Sequence, residues 1–216
     1  MLRLLGRVVA EAPGRPDGAG ADHPMRKVTS QVAFEPDGWT PERAAKVAAL
    51  FDDLAPTWNQ RGTADRTEAL DDALARGGPF LHQAPCLEAG CGTGLITPLL
   101  AEHFPVVIAL DLAFEMLCRA PSDLPAPRVH GDSSRLPLPS ASMGTVVLVN
   151  AFLFPSEVER VLLPGGALVW VNTLGDRTPI HLPAEAVDRA LGGGWEGVGA
   201  EAGWGTWAVF RKPAAR

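Results

Sequence analysis

The chain is predicted to fold as an α/β protein: a doubly wound, mostly parallel sheet closed by a C-terminal antiparallel hairpin. Three observations predict this. From residue 84 onward, short apolar runs alternate with segments of helical periodicity. A glycine-rich turn, Gly90-Cys91-Gly92-Thr93-Gly94, separates the first such run from the segment that follows it. The run Val146-Val147-Leu148-Val149 is apolar at consecutive positions, as expected of a strand covered on both faces.

Taken in order, residues 1–24 read as a flexible tail. Met1 to Ala10 is basic and apolar, but Arg7 interrupts any signal-peptide core, and Glu11 to Pro24 is rich in Pro, Gly and Ala. Met25 is an alternative start. Residues 25–78 read as a helical lid and substrate region. Thr40-Pro41-Glu42 gives an N-cap, a proline in the first turn and an early acid. Val47, Phe51 and Leu54 then recur at helical spacing. Thr63 is the expected cap of a second helix carrying Leu70 and Leu74, ended by Gly77-Gly78.

The core is assigned to residues 79–216. Strands are expected near 84–89, 106–110, 127–130, 144–150 and 167–173. A helix is expected near 183–191. Strands 195–201 and 204–211 pair around Ala202-Gly203 as the hairpin, and Trp195, Trp204 and Trp207 on it read as edge packing.

Composition narrows the function. The 216 residues carry a net charge of −6, with 46% hydrophobic and 20% charged residues, ordinary values for a globular protein. No Lys/Arg-rich run marks a nucleic-acid surface, so no nucleic-acid partner is expected. The three cysteines, Cys86, Cys91 and Cys118, lack metal-ligand or disulfide spacing. They fit a reducing, cytoplasmic setting, and no metal is expected. No apolar run approaches the roughly 18 residues of a membrane span.

The glycine turn lies between an apolar run ending in Leu87-Glu88-Ala89 and a second run, Val106 to Leu110, which ends at Asp111. Glycines at such a turn admit a ligand close to the backbone. A carboxylate at the tip of the second strand can accept both hydroxyls of a ribose. The spacing is G-x-G-x-G rather than the G-x-G-x-x-G of a dinucleotide site, and Glu88 would be poorly placed beside a pyrophosphate. This argues against a nicotinamide oxidoreductase. A carboxylate at Glu88 suits an ammonium instead. Ribose and an α-amino acid together point to S-adenosylmethionine.

The stretch Glu88 to Gly94 resembles the first motif of class I S-adenosylmethionine-dependent methyltransferases, specifically the small-molecule, methyltransferase type 11 group that includes quinone methyltransferases. Three later stretches are similar to the family's motifs, in order. Asp111-Leu112-Ala113-Phe114-Glu115-Met116-Leu117 resembles the ribose-binding stretch, with Ala113 replacing the usual serine. Gly131-Asp132-Ser133-Ser134-Arg135-Leu136-Pro137 resembles the stretch whose acid binds the adenine amino group. Glu157 to Gly166 resembles the turn before the fifth strand. Met143-Gly144 departs from the Phe-Asp of many relatives. The resemblance covers about residues 40 to 212 and implies a Rossmann-like, seven-stranded sheet.

It also implies a cofactor site of Glu88, Gly90, Cys91, Gly92, Gly94, Asp111, Leu112, Met116, Asp132 and Ser133. Asn150 and Trp58 are added at the methyl end. Phe51 to Asn59 resembles a stretch that closes over the cofactor in small-molecule relatives, with Trp58 capping the methionine end or the acceptor; packing of a helix end is its alternative. Asp111 and Asp132 also have a purely structural reading, as cap and turn residues, and Cys91 reads as a small residue rather than a reactive thiol. Asn150 stands where adenine N6 methyltransferases carry a proline-containing run that is absent here, and a strand-end cap is its alternative. No catalytic residue is identified, because the cofactor supplies the electrophile; His181 and Asn150 are the weak candidates. The implied activity is methyl transfer to a small-molecule acceptor. The alternative is a cofactor-binding protein without transferase activity.

Overall fold

The computed structural model describes residues 1–15, 20–61 and 67–214. Eight strands and seven α-helices follow in the order β1 (Leu2–Leu4), α1 (Pro24–Phe34), α2 (Pro41–Leu54), α3 (Glu68–Arg76), β2 (Cys86–Ala89), α4 (Thr97–His103), β3 (Val107–Asp111), α5 (Phe114–Cys118), β4 (Arg128–His130), β5 (Met143–Val149), α6 (Pro155–Val161), β6 (Leu162–Asn172), α7 (Ala184–Leu191), β7 (Glu196–Ala202) and β8 (Gly205–Arg211). They build one sheet in the order β1-β7-β8-β6-β5-β2-β3-β4. Strands β2 to β6 pair in parallel, while β8 runs antiparallel to both β6 and β7. The strand order reverses at β2, between β3 and β5, where doubly wound sheets open a crevice at the carboxyl ends of their strands.

Side chains on successive strand residues point to opposite faces, and the two faces bury two separate cores. Leu87, Leu110, Val146, Leu148, Leu168, Trp170 and Phe210 pack beneath α1, α6 and α7. Cys86, Val107, Val147, Val169, Val171, Trp207 and Val209 pack beneath α3 and α4. At roughly 25 cal/mol per Å2 of apolar surface, this two-sided burial dominates the stability of the sheet.

Two expectations are corrected. First, the N-terminal segment is not a free tail through its length. Leu2–Leu4 form an eighth, edge strand parallel to β7, and the chain stays tied to that edge through Gly203 N–H to the Val9 carbonyl and Trp204 Nε1 to the Ala12 carbonyl (2.7 Å). The short Leu-Arg-Leu alternation supplies the strand and β7 supplies the partner.

Second, α3 is not part of a lid. Its Leu70 and Ala73 are fully buried against β7 and β8, and its Asp72 accepts a bond from Trp207 Nε1 (2.7 Å). Thr63, the expected cap, lies outside the described residues. The three hairpin tryptophans, read from the sequence as packing residues, are all buried, and two also donate their indole N–H groups, Trp204 to the Ala12 carbonyl and Trp207 to Asp72. Among the described residues, no helix is long and apolar enough to cross a membrane.

Candidate functional site

The glycine turn joins β2 to α4 at the crevice. Gly90, Gly92 and Gly94 have φ of +80°, +57° and +78°. A Cβ on Gly90 would lie 2.9 Å from the Cβ of Ala151, and one on Gly92 would lie 3.4 Å from Trp58 Nε1. Left-handed backbone and lack of room both require glycine here. Cys91, between them, is buried, and burial beside Glu88 and Asp111 pushes its thiol far above the ordinary range. It is therefore inert as a nucleophile.

Glu88 sits on β2 beneath this turn and is 1% exposed. Its Oε2 accepts the Thr97 hydroxyl (2.6 Å), while its buried Oε1 has no partner. Burial raises its pKa from 4.5 to about 8; the Thr97 bond opposes the rise and the nearby Asp111 charge adds to it. An unpaired, buried carboxyl oxygen is a costly feature, and it fits a cationic ligand group above β2.

Asp111 ends β3. Its Oδ2 accepts the Gly92 N–H (2.7 Å) and its Oδ1 accepts the Ala113 N–H (2.8 Å). Burial raises its pKa and the backbone donors oppose that. A carboxylate offers about four lone-pair directions, so capacity for two ribose hydroxyls remains. The structural role and the ligand role thus coexist: Asp111 stitches the glycine turn to the start of α5.

Leu112 is half-buried, and its carbonyl pairs with His130 Nε2 (3.0 Å). Met116 is buried with Ala55 and Ala113, against Phe51, Leu54 and Trp58. Asp132 caps the short turn Ser133–Arg135 through the Ser134 N–H (2.8 Å).

Sequence reasoning missed Trp39. Its Nε1 donates to both Asp132 oxygens (2.9 and 3.2 Å), and its ring packs against Phe152 and Phe154 at 5.4 and 5.3 Å. The available signal was a lone tryptophan directly before the Thr40 cap.

The segment following α2 closes over the turn. Trp58 lies against Gly92, and the Asn59 Oδ1 accepts the Thr93 hydroxyl (2.6 Å). Within α2, Asp52 Oδ1 accepts the Glu115 N–H (2.8 Å).

At the acceptor end, Asn150 adopts a left-handed conformation (φ +51°). Its Oδ1 accepts the Thr173 N–H (2.9 Å) and its Nδ2 donates to the Thr173 hydroxyl (2.8 Å). It clamps the ends of β5 and β6 together. His181 Nδ1 lies 2.9 Å from Arg26 Nη1. A guanidinium can only donate, so this nitrogen is the acceptor and the ring proton is on Nε2. Burial, with the Arg26 charge, lowers the His181 pKa to about 4, against the pull of Asp176.

The residues brought together therefore offer a buried unpaired carboxyl oxygen, a glycine cradle, a diol acceptor and an edge acid. This donor and acceptor set fits S-adenosylmethionine.

A methyltransferase-domain family model matches residues 87–170. A malonyl-[acyl-carrier protein] O-methyltransferase of Dechloromonas aromatica is 32% identical over 154 residues, covering 68% of this chain and 57% of the relative. One of Enterobacter lignolyticus is 33% identical over 171 residues, covering 68% of this chain and 67% of the relative. The chain thus spans little more than half of the first relative and two thirds of the second. A solved structure of a SAM-dependent methyltransferase from Aquifex aeolicus shares the fold, with a TM-score of 0.56, 18% identity, and coverage of 80% of this chain and 98% of that one. With the motif geometry described above, these relationships show that the chain belongs to the class I S-adenosylmethionine-dependent methyltransferases.

Proposed function

We propose that the chain transfers a methyl group from S-adenosylmethionine to a carboxylate oxygen of a small acyl acceptor, free or carried as a thioester. The observation that carries this reading is the state of the acceptor end. Both polar groups of Asn150 are spent on Thr173, and the acceptor nitrogen of His181 is taken by Arg26. Neither residue is poised to remove a proton.

A phenol, an alcohol or an ammonium would need a base before it could attack. A carboxylate, ionised at neutral pH, needs none. When bound, S-adenosylmethionine would supply an electrophilic methyl carbon, with the carbon–sulfur electron pair leaving on its neutralised sulfur. The names of the two curated relatives support an acid acceptor, since the free oxygen nucleophile of a malonyl thioester is its carboxylate.

The chain's own task is then to hold and desolvate the partners. Glu88, Asp111 and Asp132 hold the cofactor, the glycine turn admits it, and Trp58 with Asn59 covers the turn.

The test is incubation with methyl-labelled S-adenosylmethionine and a panel of malonate, malonyl-coenzyme A, malonyl-carrier protein, a phenol and a primary amine. Base-labile label on an acid, with none on the phenol or amine, is expected. Label on the phenol or amine overturns the acceptor assignment. Cofactor binding without label on any acceptor would favour a binding protein lacking transferase activity.

A further inference from the structure

We infer that Arg26 forms a carboxylate-binding site at the carboxyl end of β6, which anchors the acid group of the methyl acceptor. This rests on the acid-acceptor reading above and identifies where the acid is held. Arg26 lies on the first turn of α1 and is half-buried. Its Nη1 contacts neutral His181, and its Nη2 donates to the backbone carbonyl of Asp176. No carboxylate among the described residues forms an ion pair with it. Asp176 gives its carboxylate to Arg15 instead (2.8 Å), and Glu11 faces the same guanidinium at 3.6 Å, so Arg26 is the cation left without an anion.

Two guanidinium N–H groups, Arg26 Nε and Arg15 Nε, are buried without an acceptor. Arg15 also donates to the Leu174 carbonyl, so both cations converge on residues 174–176, just past the end of β6. A buried donor without an acceptor is costly, and more so when it carries charge. Desolvation lowers the Arg26 pKa, with Asp176 as the opposing influence. The missing partner is an anion with planar, forked acceptors, which is the shape of a carboxylate.

The location agrees. Residue 174 follows Thr173, which is bonded to Asn150 at the end of β5, the neighbouring strand. His181 separates Arg26 from a cavity of about 320 Å3, also lined by Asn172, Thr206 and Trp170. Asn172 is 1% exposed, and its Oδ1 has no donor. An acid held at Arg26 therefore lies across the His181 ring from this cavity.

Malonate is the probe. The full chain, with 15N-labelled arginine, is titrated with malonate and with uncharged dimethyl malonate while the Arg Nε–H resonances are followed. Malonate alone should shift the Arg26 resonance. Arg26→Met should weaken malonate binding roughly tenfold, the scale of one charge-assisted bond pair. Arg26→Lys should retain part of the affinity. Unchanged S-adenosylmethionine affinity and thermal midpoint would show that Arg26→Met still folds. Unaltered malonate affinity in Arg26→Met, or an Arg26 resonance that no malonate concentration moves, overturns the site.

Methyl-transfer kinetics separate the two readings. If carboxylates are methylated and Arg26→Met leaves their KM unchanged, the anchor fails and the acid-acceptor reading stands. If malonate binds at Arg26 and no acid is methylated, the anion site stands and the acid-acceptor reading fails.

Discussion

A carboxyl group buried beside a second acid, as Glu88 is beside Asp111, keeps its proton until about pH 8 in the ligand-free protein. Its pKa in the fold lies above the ordinary 4.5, so the folded state binds the proton more tightly than the unfolded state does. Stability is therefore greatest below the ordinary value and declines as pH rises toward 8. Glu88→Gln, a neutral isostere of the protonated acid, should flatten that decline in thermal midpoints. It should also weaken cofactor binding by about 1–3 kcal/mol, because it replaces a charged acceptor by a neutral one and loses the charge assistance. In the wild type, the proposed contact of Glu88 with the cofactor's cationic amine requires that the proton leave. Affinity should then rise by up to roughly tenfold per pH unit until about pH 8, with proton release visible in buffers of different ionisation enthalpy. Affinity independent of pH over that window would remove Glu88 from the amine. The placement of Glu88 and Asp111 on the strands flanking the glycine turn was legible in the sequence, because it follows from strand–turn–helix spacing within a few dozen residues. Trp39 was not, because its bond to Asp132 spans 93 positions and no local pattern announces it.

At the level of elements, α3 is held to the sheet by Asp72, which Arg76 and Trp207 both contact. Burial works to raise the Asp72 pKa, but the bonds from Arg76 and Trp207 prevail and the net shift is downward. Its contribution is thus fully present above the ordinary carboxylate value and is lost as the solution is acidified below it. Asp72→Asn should cost about 1–3 kcal/mol, less than a fully buried pair because the Arg76 side chain is 23% exposed. That corresponds to a fall of roughly 2–4 °C in Tm per kcal/mol. A Tm equal to wild type at neutral pH would mean that α3 docks by apolar contact alone. The apolar positions of α3 were evident from sequence, but which surface they bury against was not, since periodicity gives a face and not its partner. The same holds for β1: a three-residue strand is too short to register as a pattern, and it exists because the open edge of β7 lies beside it.

Across the whole molecule, the parallel order and the C-terminal hairpin followed from alternating apolar runs, and the glycine turn located the crevice. The acceptor end was less legible. Arg26, His181 and Asp176 come from α1 and from the loop after β6, and their convergence is a product of the fold. The most direct measurement is calorimetric titration of the full chain with S-adenosylmethionine, S-adenosylhomocysteine and NADH. Binding of the first two at roughly micromolar Kd, about −8 kcal/mol, with no heat from NADH, is predicted. A folded protein that binds neither S-adenosylmethionine nor its product, or that binds NADH instead, would contradict the account.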